Sequence, residues 1–145
     1  MTDISPQLLN DCLILGRFSL CHLLLMRDAN YPWFILVPDR NNISEIYQLS
    51  EEDQQYLLKE SSSLAQYLMK SFNGDKMNIA ALGNIVPQCH IHHVVRYHTD
   101  TAWLGPIWGC LPSKAYTCLL YTSPSPRDQR GSGVRGWAWK KKNGG

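Results

Sequence analysis

One long amphipathic segment, residues 51–72, limits the fold more than any other part of this sequence. Ser50 precedes three acidic residues, which is typical of a helix start, because serine can cap the first turn and acids favour the positive end of the helix dipole. Apolar or small residues then recur at three- and four-residue spacing: Leu57, Ser61, Leu64, Ala65, Leu68, Met69 and Phe72. The pattern predicts a single helix that ends near Asn73 and Gly74.

Strand patterns lie on both sides of this helix. The apolar runs of strand length are residues 20–27, 33–38, 76–82 and 88–97. The first two are separated by Asp-Ala-Asn-Tyr-Pro at 28–32, which is turn chemistry. Residues 4–11 favour a short opening helix. One long helix between strand pairs indicates the α+β class with a mostly antiparallel sheet.

The composition changes after residue 117. Residues 118–145 hold six of the 14 basic residues and one acid, and they are dominated by Pro, Ser, Gly and Arg. We therefore interpret residues 1–117 as one domain and 118–145 as a disordered, non-native-looking tail. Residues 118–128 resemble a translated sequencing adapter, and this resemblance implies that the true C-terminal sequence is missing after about Thr117. Because the tail supplies the basic character, the domain gives no support for nucleic-acid binding.

The composition, 44% hydrophobic and 18% charged, is typical of a globular protein. No apolar run approaches the ~20 residues of a membrane span, and no secretory signal pattern is visible, so we expect a cytoplasmic protein without a membrane partner. The five cysteines are widely spaced, and none lies in a Cys-x-x-Cys pair. This spacing argues against both a disulfide framework and a cysteine zinc site.

Residues 88–96 carry the residue types with the most chemistry. In a strand, Gln88, His90 and His92 would share one face, while His93 would lie on the other as a packed or dimer-proximal histidine. Such a polar row can attack and hold a phosphate, because neutral imidazole is nucleophilic near pH 7. The alternative, a zinc site, is disfavoured because His93 points away and no carboxylate lies nearby in sequence.

The polar row resembles the motif of the histidine triad (HIT) family, His-x-His-x-His-x-x with apolar x, with Gln88 at the first triad position. Upstream, residues 28–38 are similar to the paired-strand segment of that family. Residues 83–86 (Gly-Asn-Ile-Val) resemble its Gly-Gln-Ser/Thr-Val loop, and Arg96 fits the basic residue after the triad. The resemblance is greatest to a bacterial branch of HIT hydrolases similar to diadenosine tetraphosphate hydrolases, in which Gln takes the first position.

The resemblance implies a five-stranded antiparallel sheet with one long helix and a short N-terminal helix, usually paired as a homodimer. It also implies a hydrolase or nucleotidyl transferase that cleaves a purine nucleotide conjugate, such as a diadenosine polyphosphate or nucleoside phosphoramidate, through a nucleotidyl-histidine. By position the nucleophile is His90, and His92 and Gln88 are the other catalytic residues. Asp28 matches the acid that binds ribose hydroxyls, and Asn84 stands where the family contacts phosphate. We expect no cofactor and no metal.

Four residues depart from the family pattern. Gln88 cannot titrate, and Ile85 replaces a hydroxyl residue of the phosphate loop. Trp33 and Asn42 occupy positions where many members carry further histidines. These departures leave open a catalytically weak or inactive nucleotide-binding module, or a structural dimer, on the same fold. Asp28 as a simple turn residue and Asn84 as a loop former are alternatives to their binding roles.

Overall fold

The computed structural model describes residues 3–117. Its elements follow in the order α1 (Pro6–Asp11), β1 (Cys12–Arg17), β2 (Cys21–Met26), β3 (Trp33–Pro38), a 3₁₀ turn (Ile46–Gln48), α2 (Glu51–Ser71), β4 (Lys76–Ala80) and β5 (Ile91–Arg96). The predicted tail and the adapter-like segment lie outside the described residues. No helix in the described range is long and apolar enough to cross a membrane.

The five strands form one sheet in the order β1-β2-β3-β5-β4. The pairings of β1 with β2, β2 with β3, and β3 with β5 are antiparallel. Strand β3 lies at the centre, and every residue of β3 and of β5 is buried. The sheet, the long helix α2 and the short helix α1 confirm the predicted α+β fold.

Strand β1 is the element that the sequence pattern did not reveal. It lies at an edge of the sheet, and its apolar residues Ile14 and Leu15 are 54% and 40% exposed, so no alternation marks the strand. A bulge between Ile14 and Gly16 shifts its register against β2. Bulges are frequent at sheet edges, where they discourage pairing with another chain.

Helix α2 begins and ends where the sequence predicted. The backbone N–H of Asp53 donates to Oγ of Ser50 at 3.1 Å, which caps the first turn. At the other end, Asn73 adopts a positive φ of 52°. Gly74 follows, and a Cβ at that position would overlap the side chain of Val95. The close packing of the Val95 side chain against this backbone therefore requires glycine.

The buried side of α2 also contains a carboxylate that the periodicity did not predict. Apolar side chains form most of this side: Leu57, Leu64, Leu68 and Phe72. Glu60 is also buried, and its two oxygens accept the backbone N–H groups of Leu20 and Cys21 at 2.8 and 3.0 Å. A buried carboxylate is tolerated when it is hydrogen-bonded in this way, so Glu60 anchors the connection between β1 and β2.

Contacts divide the described chain into two compact units. The first contains the chain up to Met26, Trp33–Leu64 and Asn78–Val94, and the second contains Arg27–Pro32, Ala65–Met77 and the chain from Val95. The histidines of interest belong to the first unit, and Asp28 belongs to the second. Within the second unit the buried Arg96 forms two bonds to the carboxylate of Asp100, at 2.8 and 3.0 Å, and donates to the carbonyl of Gly105.

Candidate functional site

Strand β5 begins at Ile91, three residues later than the sequence predicted. His90 therefore precedes the strand, and His92 lies within it. The preceding segment is held by a backbone bond from the N–H of Cys89 to the carbonyl of Ile43 at 2.9 Å. The polar row is thus formed by an irregular segment, with Gln88 and His90, joined to a strand, with His92. Its three members therefore have different backbone surroundings.

The ring of His90 is oriented by a backbone carbonyl. Its Nδ1 lies 2.6 Å from the carbonyl oxygen of Gln88. A carbonyl can only accept, so Nδ1 carries the proton, and the neutral ring presents its lone pair at Nε2. This tautomer is the one that a histidine nucleophile requires.

His90 also lines a cavity of about 320 Å³, although the residue is only 6% exposed. The other lining residues are Ser44, Glu45, Ile46, Tyr47, Gln54, Ala81, Leu82, Gly83, Gln88 and Cys89. The volume lies within the ~300–1,000 Å³ range of small-molecule sites. Among these described lining residues there is no lysine or arginine, and Glu45 is the single carboxylate. A phosphate bound against this wall would therefore be held by neutral donors.

His92 is paired with the indole of Trp33. The indole Nε1–H donates to Nδ1 of His92 at 3.0 Å, and the His90 and His92 rings lie 4.9 Å apart. An indole N–H can only donate, so Nδ1 of His92 is unprotonated and the neutral ring carries its proton on Nε2. Burial, with repulsion from His90 and His93, lowers the pKa of His92 to about 3. His92 is therefore a neutral Nε2–H donor near pH 7, not a cation.

His93 is packed on the opposite side of β5, as predicted. It is fully buried; its Nδ1 donates to the carbonyl of Ile91 at 3.1 Å, and its Nε2 accepts the Ser61 hydroxyl at 2.7 Å. Burial lowers the pKa of His93 to about 4, although the bond to Ile91 opposes that shift. With both nitrogens satisfied beside helix α2, His93 has a structural role.

The side chain of Gln88 binds the N-terminal segment. Its Oε1 accepts the backbone N–H of Ser5 at 2.7 Å, and its Nε2 donates to the carbonyl of Asp3 at 2.9 Å. These bonds use the amide oxygen and one of the two Nε2 hydrogens. Gln88 thus joins α1 to the His90 segment, and its backbone carbonyl orients the His90 ring.

The loop of residues 83–86 contributes glycine to the cavity wall. Gly83 has a φ of 80°, a conformation that favours glycine, and it lines the cavity. Asn84 and Ile85 are exposed, and neither is among the residues that line the cavity. The loop contacts the cavity through Gly83, and the phosphate contact of Asn84 stays a prediction.

Asp28 forms a turn within the second unit. Its Oδ1 accepts three hydrogen bonds, from the backbone N–H and the side-chain amide of Asn30 at 3.0 and 2.8 Å and from the backbone N–H of Lys114 at 3.2 Å. The turn role, which the sequence left open, is thus present. Its second oxygen, Oδ2, takes no part in these three bonds.

Trp33 and the loop before α2 were not predicted as parts of the site. Ile35 pairs with His92 across β3 and β5, which makes Trp33 a diagonal neighbour of His92. That register joins residues 59 apart in sequence and cannot be read from either strand alone. The loop sequence does indicate a helical turn, because Glu45 and Gln48 have the spacing of a capping box and form one at the 3₁₀ turn.

Known proteins resemble this chain in sequence and in fold. The family model described as the HIT domain matches residues 7–99. A solved histidine triad protein from Marinobacter aquaeolei VT8 is 51% identical, with a TM-score of 0.83, and the match covers 85% of this chain and 90% of that one. A histidine triad protein from Bradyrhizobium japonicum is 38% identical, with a TM-score of 0.81 and coverage of 83% and 90%. One from Sinorhizobium meliloti 1021 is 38% identical, with a TM-score of 0.78 and coverage of 79% and 85%. A search of curated proteins gave no significant match. By its domain match and its structural neighbours, the chain belongs to the histidine triad family.

Proposed function

We propose that the protein is a hydrolase or nucleotidyl transferase that cleaves a purine nucleotide phosphate conjugate through a covalent intermediate on His90. The observation that carries the proposal is the 2.6 Å bond from Nδ1 of His90 to the carbonyl of Gln88. It leaves the Nε2 lone pair on a ring that lines a cavity. Proteins of the HIT family are generally nucleotide hydrolases or transferases, which supports the same reaction class.

In the first step, the lone pair of His90 Nε2 attacks the α-phosphorus of the nucleotide. The nitrogen–phosphorus bond forms as the bond to the leaving group breaks, and the leaving group takes that electron pair. Nδ1 keeps its proton, so the phosphorylated ring is cationic and the Gln88 carbonyl stabilises it. In the second step, the oxygen of water or another acceptor attacks phosphorus. The electron pair returns to Nε2, and the acceptor loses its proton to solvent.

Neutral donors are proposed to hold the phosphate during both steps. His92 offers Nε2–H, and Gln88 offers the Nε2 hydrogen that its bond to Asp3 does not use. Asn84 is the proposed third contact, from the exposed loop that supplies Gly83 to the cavity wall. The resemblance assigns the ribose hydroxyls to Asp28, and Oδ2 is the oxygen that the turn bonds do not use.

The test is trapping of the adduct on His90. The protein is incubated with a panel of diadenosine polyphosphates and adenosine phosphoramidates, then quenched in base, because phosphorus–nitrogen bonds to histidine are acid-labile. Mass spectrometry should find one nucleotidyl group on the peptide that contains His90. His90→Ala is the matched variant and should show neither adduct nor turnover. Equal turnover by wild type and His90→Ala would contradict the proposal.

The second candidate is a nucleotide-binding module without turnover. It is favoured by one observation: the Gln88 amide, at the first triad position, is already bound to Ser5 and Asp3. Calorimetry would separate the two functions. Micromolar binding of purine nucleotides, with no adduct and no product, would support the module and exclude the enzyme.

We also propose that the protein is a homodimer, as the resemblance implies. Strand β4 forms an edge of the sheet, and its Ile79 is 51% exposed, so the edge offers both backbone groups and apolar surface to a second copy. Sedimentation of the wild type and an Ile79→Lys variant tests this assembly. A wild-type monomer at micromolar concentration would contradict it.

A further inference from the structure

We infer that Trp33 is a positioning residue that fixes His92 as a neutral Nε2–H donor, so that neither triad position beside His90 supplies a general acid. It follows that the site favours conjugates whose leaving group departs as a stable anion. The part of this inference that concerns leaving groups rests on the proposed function. The part that concerns the histidine tautomer does not.

The geometry of the pair supports the inference. Trp33 and His92 are 9% and 5% exposed, and 3.0 Å separates the indole Nε1 from the imidazole Nδ1. A proton on Nδ1 would place one N–H against another in a buried site. That arrangement leaves two buried donors without acceptors and is strongly disfavoured. Because indole can neither accept a hydrogen bond nor titrate, Trp33 cannot adapt to a proton on Nδ1 of His92.

The other described neighbours of His92 do not favour a cation. His90 lies at 4.9 Å between ring centroids, and its Nδ1–H already donates to the Gln88 carbonyl. His93 is the next residue on β5, with both nitrogens in hydrogen bonds, and Ile35 pairs with His92 from β3. None of these neighbours carries a carboxylate. Burial and the two histidines accordingly depress the pKa of His92.

The consequence concerns the leaving group. Gln88 has no acidic proton, and loss of the Nε2 proton from neutral His92 would create an imidazolate. Glu45, the single carboxylate among the described lining residues, accepts the backbone N–H of Gln48. A phosphate or polyphosphate leaving group needs no proton, whereas an amine or alkoxide does. Without acid catalysis from the triad positions, the second class lacks ~10²–10⁴-fold of rate assistance. We therefore assign phosphoanhydrides, such as dinucleoside polyphosphates, over phosphoramidates.

The first experiment measures the tautomer and needs no turnover. In ¹⁵N-labelled protein, two-bond ¹H–¹⁵N correlations should show His92 with its proton on Nε2 and constant shifts from pH 5 to pH 8. Trp33→Phe should abolish the fixed tautomer. Trp103→Phe is the matched control, because the indole of Trp103 contacts Arg96 and His98. A wild-type His92 that titrates in this range, or that is protonated on Nδ1, would overturn the inference even if Trp33→Phe fails to fold.

The second experiment measures the leaving-group dependence. Cleavage of an adenosine phosphoanhydride should exceed that of the matching phosphoramidate by at least ~10²-fold in kcat. Aryl esters of adenosine 5′-phosphate should react more slowly as the pKa of the phenol rises. Trp33→His, which returns a titratable partner to His92, should flatten that dependence. Equal kcat for anhydride and amidate in the wild type would overturn the assignment. If no substrate turns over, the proposed function fails, and the tautomer spectra alone decide the role of Trp33.

Discussion

His90, directly before strand β5, and His93, within it, have the same local bond and different surroundings. His90 and His93 each donate Nδ1–H to the carbonyl two residues earlier, at 2.6 and 3.1 Å. They differ at Nε2, since Ser61 occupies that atom in the fully buried His93, whereas the His90 ring lines a cavity. The carbonyl bond therefore sets the tautomer, and the surroundings of the second nitrogen determine whether the ring can react.

The largest expected effect comes from removal of the proposed nucleophile. His90→Ala should lower turnover by about 10⁴-fold or more, because the covalent route is lost with its nucleophile. Steady-state kinetics on a phosphoanhydride, together with the base-quenched adduct, measure the loss. Since His90 borders a cavity, its truncation should lower the free energy of unfolding by less than truncation of the fully buried His93 does. Retention of more than a tenth of wild-type activity would place the nucleophile elsewhere.

The same truncation at His93, which is packed beside helix α2, should affect stability instead. His93→Ala leaves a void in the core and strands the Ser61 hydroxyl and the Ile91 carbonyl, at an expected cost of about 2–5 kcal/mol. Urea unfolding measures that cost, and activity per folded molecule should stay close to wild type. His98→Ala is the control, because the His98 side chain is 68% exposed and bonds to an exposed carboxylate. Equal destabilisation by His93→Ala and His98→Ala would contradict the structural role of His93.

Acidification should destabilise the folded protein in part through the buried His93. Burial lowers the pKa of His93 to about 4, below the usual value of 6.5, so the folded state binds fewer protons than the unfolded state between those limits. Stability is fully present above pH 6.5 and should fall as the pH drops toward 4, by about 1.4 kcal/mol per unit for each such histidine. His92, with a pKa of about 3, adds a similar slope. Between pH 7 and pH 5.5, the urea midpoint of the wild type should therefore fall more steeply with pH than that of His93→Ala. Equal slopes would contradict the lowered pKa of His93.

The sequence predicted the fold correctly wherever an element is determined by a single residue, such as a cap, or by a local hydrophobic periodicity. The stripe on α2 and the cap at Ser50 are local signals, and both are present in the structure. Strand β1 was missed because its exposed Ile14 and Leu15 interrupt any alternation. Trp33 looked like a missing histidine, since the bond to His92 depends on a strand register that only the folded sheet supplies.

The smallest effect isolates the single bond that separates His93 from His90. Ser61→Ala removes the hydroxyl that donates to Nε2 of His93 and leaves a buried acceptor unpaired, which should cost about 1–2 kcal/mol. Alanine is also the better helix former, by ~0.5 kcal/mol, so part of the loss is hidden. Ser63→Ala corrects for this gain, because Ser63 lies on the same helix and is exposed. The difference between the two variants in urea unfolding is the value of the bond. A difference near zero would mean that burial alone keeps His93 inert, and that the contrast with His90 rests on the cavity.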